Sequence, residues 1–192
     1  SEAPALSIVV PVYCGASTIG ILVSALRALP IDGGMEIVLA VDGSPDNSLD
    51  VCKKLAEEPG APITVVNLSR NFGEHNAVMA GLAHARGAFA ITMDDDLQNP
   101  PEEIAKLLAA MDAGHDYVGS IREKREDSWW RRFASRAMNR LRERITRIKM
   151  TDQGCMLRSY NRDVIDAINS CTEVNTFIPA LAYTFSHNPT EV

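Results

Sequence analysis

The chain has 192 residues, 46% of them hydrophobic, which is enough for one hydrophobic core, and we predict a single domain over residues 1–192. Its net charge of −6 excludes a broadly basic domain that binds nucleic acid in general. No apolar run reaches the length of a membrane span, and the four scattered cysteines favour reduced thiols in a soluble, cytoplasmic domain.

Four apolar segments in the first hundred residues predict β-strands, at 6–11, 35–41, 63–68 and 90–94. Amphipathic segments between them predict helices at 19–29, 47–58 and 74–85. Strands and helices that alternate in this way indicate βαβ units, hence an α/β fold with a mainly parallel, twisted sheet and helices on both faces. Pro100 and Pro101 predict the start of another helix, and residues 116–120 predict a fifth strand.

Three consecutive carboxylates, Asp94, Asp95 and Asp96, follow the fourth strand. Open α/β sheets bind ligands at the carboxyl ends of their strands, and adjacent acids are costly to bury unless a cation compensates them. In an extended segment Asp94, Asp96 and Gln98 point the same way and Asp95 points elsewhere. We therefore predict that Asp94, Asp96 and Gln98 bind Mg²⁺ or Mn²⁺. The alternative is an acidic turn that caps the next helix.

Tyr13 and Asp42 also follow strands, so we expect them at the same edge of the sheet. Tyr13 suits stacking on a base, but it is equally well an aromatic at a strand boundary. On local grounds Asp42 is more simply the acid of an Asx-turn before Gly43. The chain has neither a dinucleotide-binding glycine motif nor a P-loop. We therefore expect phosphate to bind through the metal, with Arg70 and later arginines helping.

Residues 122–149 contain eleven of the nineteen lysines and arginines but only four acids. From Trp130 onward apolar residues recur at steps of three and four, which predicts a basic amphipathic helix at about 128–149. Such a helix either packs on the core with a solvated basic face or lies in the interface of an anionic membrane. Trp129 and Trp130 at its start suit the headgroup layer of a membrane. Both interpretations stay open.

The motifs at residues 8–13, 41–46, 70–73 and 94–102 together resemble the inverting glycosyltransferases of family 2, which have a GT-A fold. The form Asp-x-Asp-Leu-Gln-x-Pro-Pro-Glu is similar to the branch that transfers sugars to polyisoprenyl phosphate. Residues 127–129, 150–160 and 176–179 extend the resemblance over nearly the whole chain. The chain departs from the family pattern at three places. It has Cys14-Gly15 where Asn-Glu is common, and Val41 where a second Asp is common. It also has Ala88 where an Asp often follows the glycine.

The resemblance implies metal-dependent, inverting transfer of a UDP-linked sugar to undecaprenyl or another polyisoprenyl phosphate, for envelope or lipopolysaccharide modification. It implies that Pro11, Tyr13 and Asp42 hold the nucleotide and that Asp94 lies at the metal and diphosphate site. We expect Arg70 and Asp95 to bind the donor as well. The resemblance links Arg122, Arg131 and Ser135 to the diphosphate or the acceptor phosphate. We count these three, with Asp96 and with Asp152 near the acceptor, as the predicted catalytic residues. Two hypotheses from other functional classes stay open. In these, the protein is either a nucleotidyl- or phosphotransferase, or a nucleotide-sugar-binding protein without turnover.

The expected partners are a nucleotide-sugar donor, the lipid acceptor and an anionic membrane surface, and a homo-oligomer stays open. The expected location is cytoplasmic, peripheral at the cytoplasmic face of the bacterial inner membrane. Relatives in this branch carry two C-terminal membrane helices that do not occur before Val192. We accordingly expect either the catalytic domain of a longer membrane protein or a soluble relative.

The basic segment generates a prediction about membranes. Each Lys or Arg near an anionic surface contributes about 1 kcal/mol, so the wild-type chain should sediment with anionic vesicles at low salt and be released by high salt. Reversal of three charges, Arg131→Glu with Arg132→Glu and Arg136→Glu, should release it while its melting temperature stays nearly unchanged. If the wild-type protein does not bind anionic vesicles even at low salt, or if the triple variant unfolds, the results would favour packing of the helix on the core.

Overall fold

The computed structural model describes residues 3–121, 155–171 and 177–192. Seven strands form one sheet in the order β3-β2-β1-β4-β6-β5-β7. The strands are β1 Leu6–Val12, β2 Met35–Val41, β3 Ile63–Asn67, β4 Phe89–Thr92, β5 Tyr117–Gly119, β6 Arg158–Asn161 and β7 Pro189–Glu191. The helices within these ranges are α1 Ile19–Arg27, α2 Ser48–Glu57, α3 Glu74–His84, α4 Glu103–Asp112, α5 Arg162–Asn169 and α6 Ile178–Phe185.

The sheet is mainly parallel, as predicted. Strands β3, β2, β1 and β4 are parallel to one another, and β7 is parallel to β5. Strand β6 runs antiparallel to both β4 and β5. All five predicted strands and the predicted helices of the first 112 residues are present, with ends shifted by a few residues. Strands β6 and β7 were not predicted from the sequence, because their residues are mostly polar.

Apolar residues cover both faces of the sheet. On one face α1, α2 and α4 pack on alternate residues of β1 and β2, such as Ile8 and Ile37. On the other face α3, α5 and α6 pack on the intervening residues, such as Val9 and Val38. The central strands are buried on both sides, which explains their nearly continuous apolar sequence. The predicted packing of helices on both faces of the sheet is therefore confirmed.

The polar strand β6 lies in the interior because its largest polar side chain is hydrogen-bonded there. Arg158 has no exposed surface. Its Nε donates to the carbonyl oxygen of Cys155 at 2.7 Å, and its guanidinium also donates to the Tyr117 hydroxyl. In addition, the Thr92 hydroxyl donates to the Met156 carbonyl at 2.6 Å, which attaches the segment before β6 to β4.

The predicted basic helix at about 128–149 lies outside the described residues. Within 3–121, 155–171 and 177–192, no helix has the length and apolar character needed to cross a membrane. The thiols of the four cysteines are free.

At the amino end of the parallel strands, a buried carboxylate joins β1, β2 and the turn before β4. Glu36 is 1% exposed and accepts hydrogen bonds from the Ser7 hydroxyl at 2.7 Å and from the backbone N–H of Arg86 at 2.7 Å. The Arg86 guanidinium donates two more bonds, at 2.9 and 2.6 Å. Burial by itself raises the pKa of Glu36, but these donors together outweigh it and hold the pKa below its ordinary value.

Glu36→Gln should lower the free energy of unfolding by about 1–3 kcal/mol at pH 7, because it leaves buried donors poorly satisfied. The lowered pKa means that the stabilisation is fully present above the ordinary value near 4.5 and is lost as the pH falls through the lowered value. Urea unfolding at pH 7 and pH 3 should therefore show a difference between wild type and variant that shrinks in acid.

Glu58→Gln is the matched control, since Glu58 pairs with Arg27 at 3.1 Å but its side chain is 55% exposed. Its effect should stay within about 0.5 kcal/mol. Equal effects of the two substitutions would contradict the role given to Glu36.

Candidate active site

A cleft opens at the carboxyl ends of the parallel strands. It is lined by Pro11, Val12, Tyr13, Asp42, Asn71, Gly73, Glu74, Asp94 and Asp95. Five residues assigned to the donor by the sequence analysis thus meet in one place, and they come from three separate strand ends. Arg70, Asp96 and Gln98 are not part of this lining. The Arg70 guanidinium instead lies over the Phe72 ring, 4.8 Å from its centroid.

Asp42 binds a loop that is distant in sequence. It is 3% exposed; its Oδ1 accepts the backbone N–H of Phe72 at 2.7 Å and its Oδ2 accepts that of Gly73 at 2.9 Å. The Asx-turn interpretation is therefore wrong, since both donors lie about thirty residues away along the chain. A carboxylate has about four acceptor positions, so Asp42 can hold this loop and still accept an N–H group from a ligand in the cleft.

The same loop packs against Gly43, which follows Asp42. Gly43 has φ +57, and a Cβ atom there would lie 2.2 Å from the carbonyl carbon of Arg70. Glycine is needed at this position for two reasons, the left-handed backbone and the closeness of the loop. The wall of the cleft at 71–74 therefore depends on the residue pair at 42–43.

Asp46 joins the loops after β1 and β2. It accepts hydrogen bonds from the hydroxyls of Ser44 and Ser48 at 2.6 and 2.5 Å and from the backbone N–H of Ala16 at 3.3 Å. The hydroxyl of Ser44 also accepts the backbone N–H of Cys14 at 2.7 Å. The serine hydroxyls are the main reason why the pKa of Asp46 falls to about 2, so its carboxylate stays charged throughout the physiological range.

The acidic segment after β4 turns instead of remaining extended. The chain bends over 95–97, Leu97 has φ +61, and the backbone N–H of Gln98 donates to Asp96 Oδ1 at 3.0 Å. The premise that side chains alternate regularly from Asp94 to Gln98 is therefore wrong, because alternation requires extended backbone. The assignment of Asp94, Asp96 and Gln98 to a metal stays a prediction.

Asp95 carries the most strongly raised carboxyl pKa at this edge. Burial raises the pKa of Asp95 to about 6; the backbone N–H of Tyr13 opposes the shift, and the charge of Asp96 adds to it. Burial, with the charges of Asp95 and Asp46, likewise raises the pKa of the Cys52 thiol to about 11. Cys52 is therefore an unreactive, buried thiol.

The chemistry of the donor set fits a hard divalent cation. Asp94 and Asp95 line the cleft, and Asp96 follows them in the sequence. Within the described part of the chain, no three His, Cys, Asp or Glu residues come together closely enough to hold a metal by themselves. Mg²⁺ typically binds one or two carboxylates and completes its octahedron with water and substrate phosphate. The carboxylates present fit a site of this kind, in which a diphosphate would supply the remaining oxygen ligands.

Four of the predicted catalytic residues, Arg122, Arg131, Ser135 and Asp152, lie outside the described residues. The flanks of this stretch are described. Strand β5 ends at Gly119 and β6 begins at Arg158, and these two residues pair directly across the antiparallel ladder. Since Arg158 also pairs with Thr92 at the end of β4, the chain both leaves and re-enters the sheet at the edge that carries the cleft.

Four lining residues, Val12, Asn71, Gly73 and Glu74, were given no role from the sequence, and neither was Gly15. Asn71 and Glu74 line the cleft beside Gly73, whose φ is +92. An Asn and a Gly between a strand and a helix indicate a sharp turn, and that signal was sufficient to place the loop at the strand ends. Gly15 lies against the Asp95 carboxylate, a contact that no sequence pattern indicates.

Comparison with known proteins identifies the family. The sequence model of glycosyl transferase family 2 matches residues 7–168. The chain belongs to glycosyl transferase family 2. This confirms the resemblance stated from the motifs.

Curated relatives narrow the similarity within the family. Undecaprenyl-phosphate 4-deoxy-4-formamido-L-arabinose transferase of Enterobacter sp. (strain 638) is 46% identical over 189 residues, which cover 97% of this chain and 58% of the relative. The protein of the same name from Edwardsiella ictaluri (strain 93-146) is also 46% identical over 189 residues, with the same coverage. The family 2 chain thus spans just over half the length of the curated relatives it matches.

Solved structures share the fold at low sequence identity. The mannosyltransferase PcManGT from Pyrobaculum calidifontis in complex with GDP-Man and Mn²⁺ matches with a TM-score of 0.69 at 16% identity, over 100% of this chain and 55% of that one. TarS 1-349 of S. aureus in complex with UDP matches with a TM-score of 0.65 at 17% identity, over 97% of this chain and 57% of that one. The predicted GT-A fold is confirmed.

The packing of the 70–73 loop on Gly43 can be tested with two glycine substitutions. Gly43→Ala should displace the loop and destabilise the fold. It should also weaken binding of UDP, the nucleotide expected from the resemblance, about tenfold or more. Gly34→Ala is the matched control, because Gly34 has φ +79 but nothing within 4 Å of an added Cβ. It should cost only the backbone strain of about 1–2 kcal/mol and leave UDP binding unchanged. Calorimetric titration and urea unfolding of both variants test this prediction. Equal UDP affinity of the Gly43→Ala and Gly34→Ala variants would contradict it.

Proposed function

We propose that this family 2 protein transfers a sugar from a UDP-linked donor to a polyisoprenyl phosphate, with inversion at the anomeric carbon and with Mg²⁺ or Mn²⁺ bound. The observation that carries the proposal is the meeting of Tyr13, Asp42 and Asp94 in one cleft at the strand ends. A base can stack on the aromatic ring of Tyr13, and an N–H group of the base can donate to the buried carboxylate of Asp42. A diphosphate binds through a hard divalent cation, for which Asp94 is a suitable ligand.

The nucleoside would lie against the loop after β1 and the 71–74 loop. Tyr13 is 50% exposed at the mouth of the cleft, which leaves its ring face open to stack on a base. Asp42 keeps free acceptor capacity beside the two backbone N–H groups that it holds. TarS, which has the same fold, was solved with UDP, and this supports a UDP-linked donor here.

The diphosphate would lie at the other end of the cleft, where Asp94 and the neighbouring Asp96 would hold the cation with Gln98. When bound, the cation neutralises charge on the departing nucleoside diphosphate. The structure of PcManGT contains GDP-Man together with Mn²⁺, which supports a metal in this fold. Asp94, Asp96 and Gln98 remain the proposed ligands.

The acceptor is proposed from the relatives, whose name gives undecaprenyl phosphate as the molecule they act on. A phosphate monoester is already largely ionised near neutral pH, so it needs positioning more than it needs a strong general base. Arg122, Arg131, Ser135 and Asp152 are proposed to position it. They belong to the stretch between β5, which ends at Gly119, and β6, which begins at Arg158. Both of these strand ends lie at the edge of the sheet that carries the cleft, and this supports the assignment.

The location follows from this acceptor. A polyprenyl phosphate is confined to a membrane, so the chain is proposed to work as a peripheral domain at the cytoplasmic face of the bacterial inner membrane. The sugar is proposed to be the 4-deoxy-4-formamido-L-arabinose of the relatives' name, and its UDP derivative is the first donor to test.

The test is incubation of the chain with that donor, Mn²⁺ and detergent-dispersed undecaprenyl phosphate, followed by mass spectrometry of the products. We expect a glycosylated lipid phosphate and UDP. Release of pyrophosphate would favour nucleotidyl transfer, and tight donor binding without turnover would favour a nucleotide-sugar-binding protein that is not an enzyme.

Asp96→Asn provides the accompanying prediction. It should abolish the metal requirement for UDP binding together with most of the affinity, a loss of about tenfold or more measured by calorimetry with Mn²⁺ and with chelator. Asp32→Asn is the matched control, because Asp32 is exposed and precedes β2 at the opposite edge of the sheet. UDP that binds wild-type protein equally well with Mn²⁺ and with chelator would refute the metal site.

A further inference from the structure

Asp95 and Gly15 face each other where the loop after β4 meets the loop after β1. A Cβ atom at Gly15 would lie 2.1 Å from Oδ2 of Asp95 and 3.0 Å from its Cγ. A Cβ atom cannot approach a carboxylate so closely, so a side chain at position 15 excludes the observed position of Asp95. Gly15 has no left-handed φ, which means that closeness alone requires glycine there.

The carboxylate of Asp95 is held between the two loops. The backbone N–H of Tyr13 donates to it. Its Oδ2 is buried and, among the described residues, has no hydrogen-bond partner; it faces the Cα of Gly15 instead. A Cα–H···O contact of this kind is weak but attractive.

Gly15 is itself fixed in place. Its carbonyl oxygen accepts the backbone N–H groups of Thr18 at 3.1 Å and Ile19 at 2.9 Å, which begin helix α1. Its neighbour Ala16 donates to Asp46. The glycine therefore cannot move away easily if position 15 acquires a side chain, and the displacement would fall on Asp95.

We infer that Asp95 is a positioning residue that holds the Asp94–Asp96 segment against the Tyr13 loop, in space that Gly15 provides. The inference rests on the proposed function, since its effect is to set the distance between the base-stacking residue and the diphosphate end of the cleft. Asp95 acts through Tyr13 and its own neighbours, not as a ligand of the donor or the cation. This narrows its role from the donor-binding one expected from the sequence.

The experiment is a double-mutant cycle with Gly15→Ala, Asp95→Ala and the double variant, with Asp95→Asn as the conservative change. UDP affinity with Mn²⁺ is measured by calorimetry, KM and kcat for transfer are measured separately, and thermal unfolding is recorded without metal or nucleotide. Gly20→Ala is the matched control, because Gly20 lies on α1 with nothing within 4 Å of an added Cβ. It should leave all of these measurements close to wild type.

We expect Gly15→Ala and Asp95→Ala each to weaken UDP binding about tenfold and to raise KM for the donor more than they lower kcat. The double variant should bind no more weakly than Gly15→Ala alone, because both changes remove the same contact. Asp95→Asn should recover most of the affinity lost in Asp95→Ala, since its amide oxygen still accepts the Tyr13 N–H. The unfolding temperatures should show the same non-additivity.

Three results would overturn the inference. Asp95→Asn that binds as weakly as Asp95→Ala would mean that a ligand or cation uses the charge directly. Additive losses in the double variant would mean that Gly15 and Asp95 act independently. Non-additive unfolding with unchanged UDP affinity would mean that the contact is only structural. Failure of the proposed function appears differently, as wild-type protein that binds no UDP while the unfolding cycle still reports on the contact.

Discussion

The parallel pairing of β1 with both β2 and β4 determines where the cleft residues lie. Val12 pairs with Val41 in one register, and Val9 pairs with Thr92 in the other, so the loops that follow all emerge at one edge. Because β1 is buried on both faces, these registers are held by apolar packing from two layers of helices. A slip of one residue would turn the buried side chains of a strand toward the wrong layer and move its loop out of the cleft.

The fold was predictable because its signals are local. Apolar runs such as 35–41 and helical periodicity such as 19–29 are properties of short windows, and the alternation of strands with helices then implies a parallel sheet. The edge rule for open α/β sheets placed Tyr13, Asp42 and Asp94 together without knowledge of any distance. The polar strand β6 escaped prediction, because its burial depends on hydrogen bonds to Cys155 and Tyr117 that its own sequence does not indicate.

The parts of the site that could not be predicted depend on partners distant in sequence. Asp42 looks like a turn residue in its local context, yet its donors are Phe72 and Gly73. The regular alternation expected from Asp94 to Gln98 fails because the backbone at Leu97 is left-handed, which an aliphatic residue rarely adopts. In both cases the three-dimensional structure differs from the local sequence preference, so the sequence of the segment alone does not predict the conformation.

The antiparallel course of β6 has an evolutionary consequence. Since the stretch between β5 and β6 starts and finishes at one edge of the sheet, its length and sequence can change without altering any strand register, and the entropic cost of a longer loop grows slowly. The parallel half of the domain, with Tyr13, Asp42 and Asp94, need not change at the same time. Such a division lets selection vary the stretch between β5 and β6 while the strand registers and the cleft residues stay unchanged, and loops carried on a rigid sheet are where such variation concentrates.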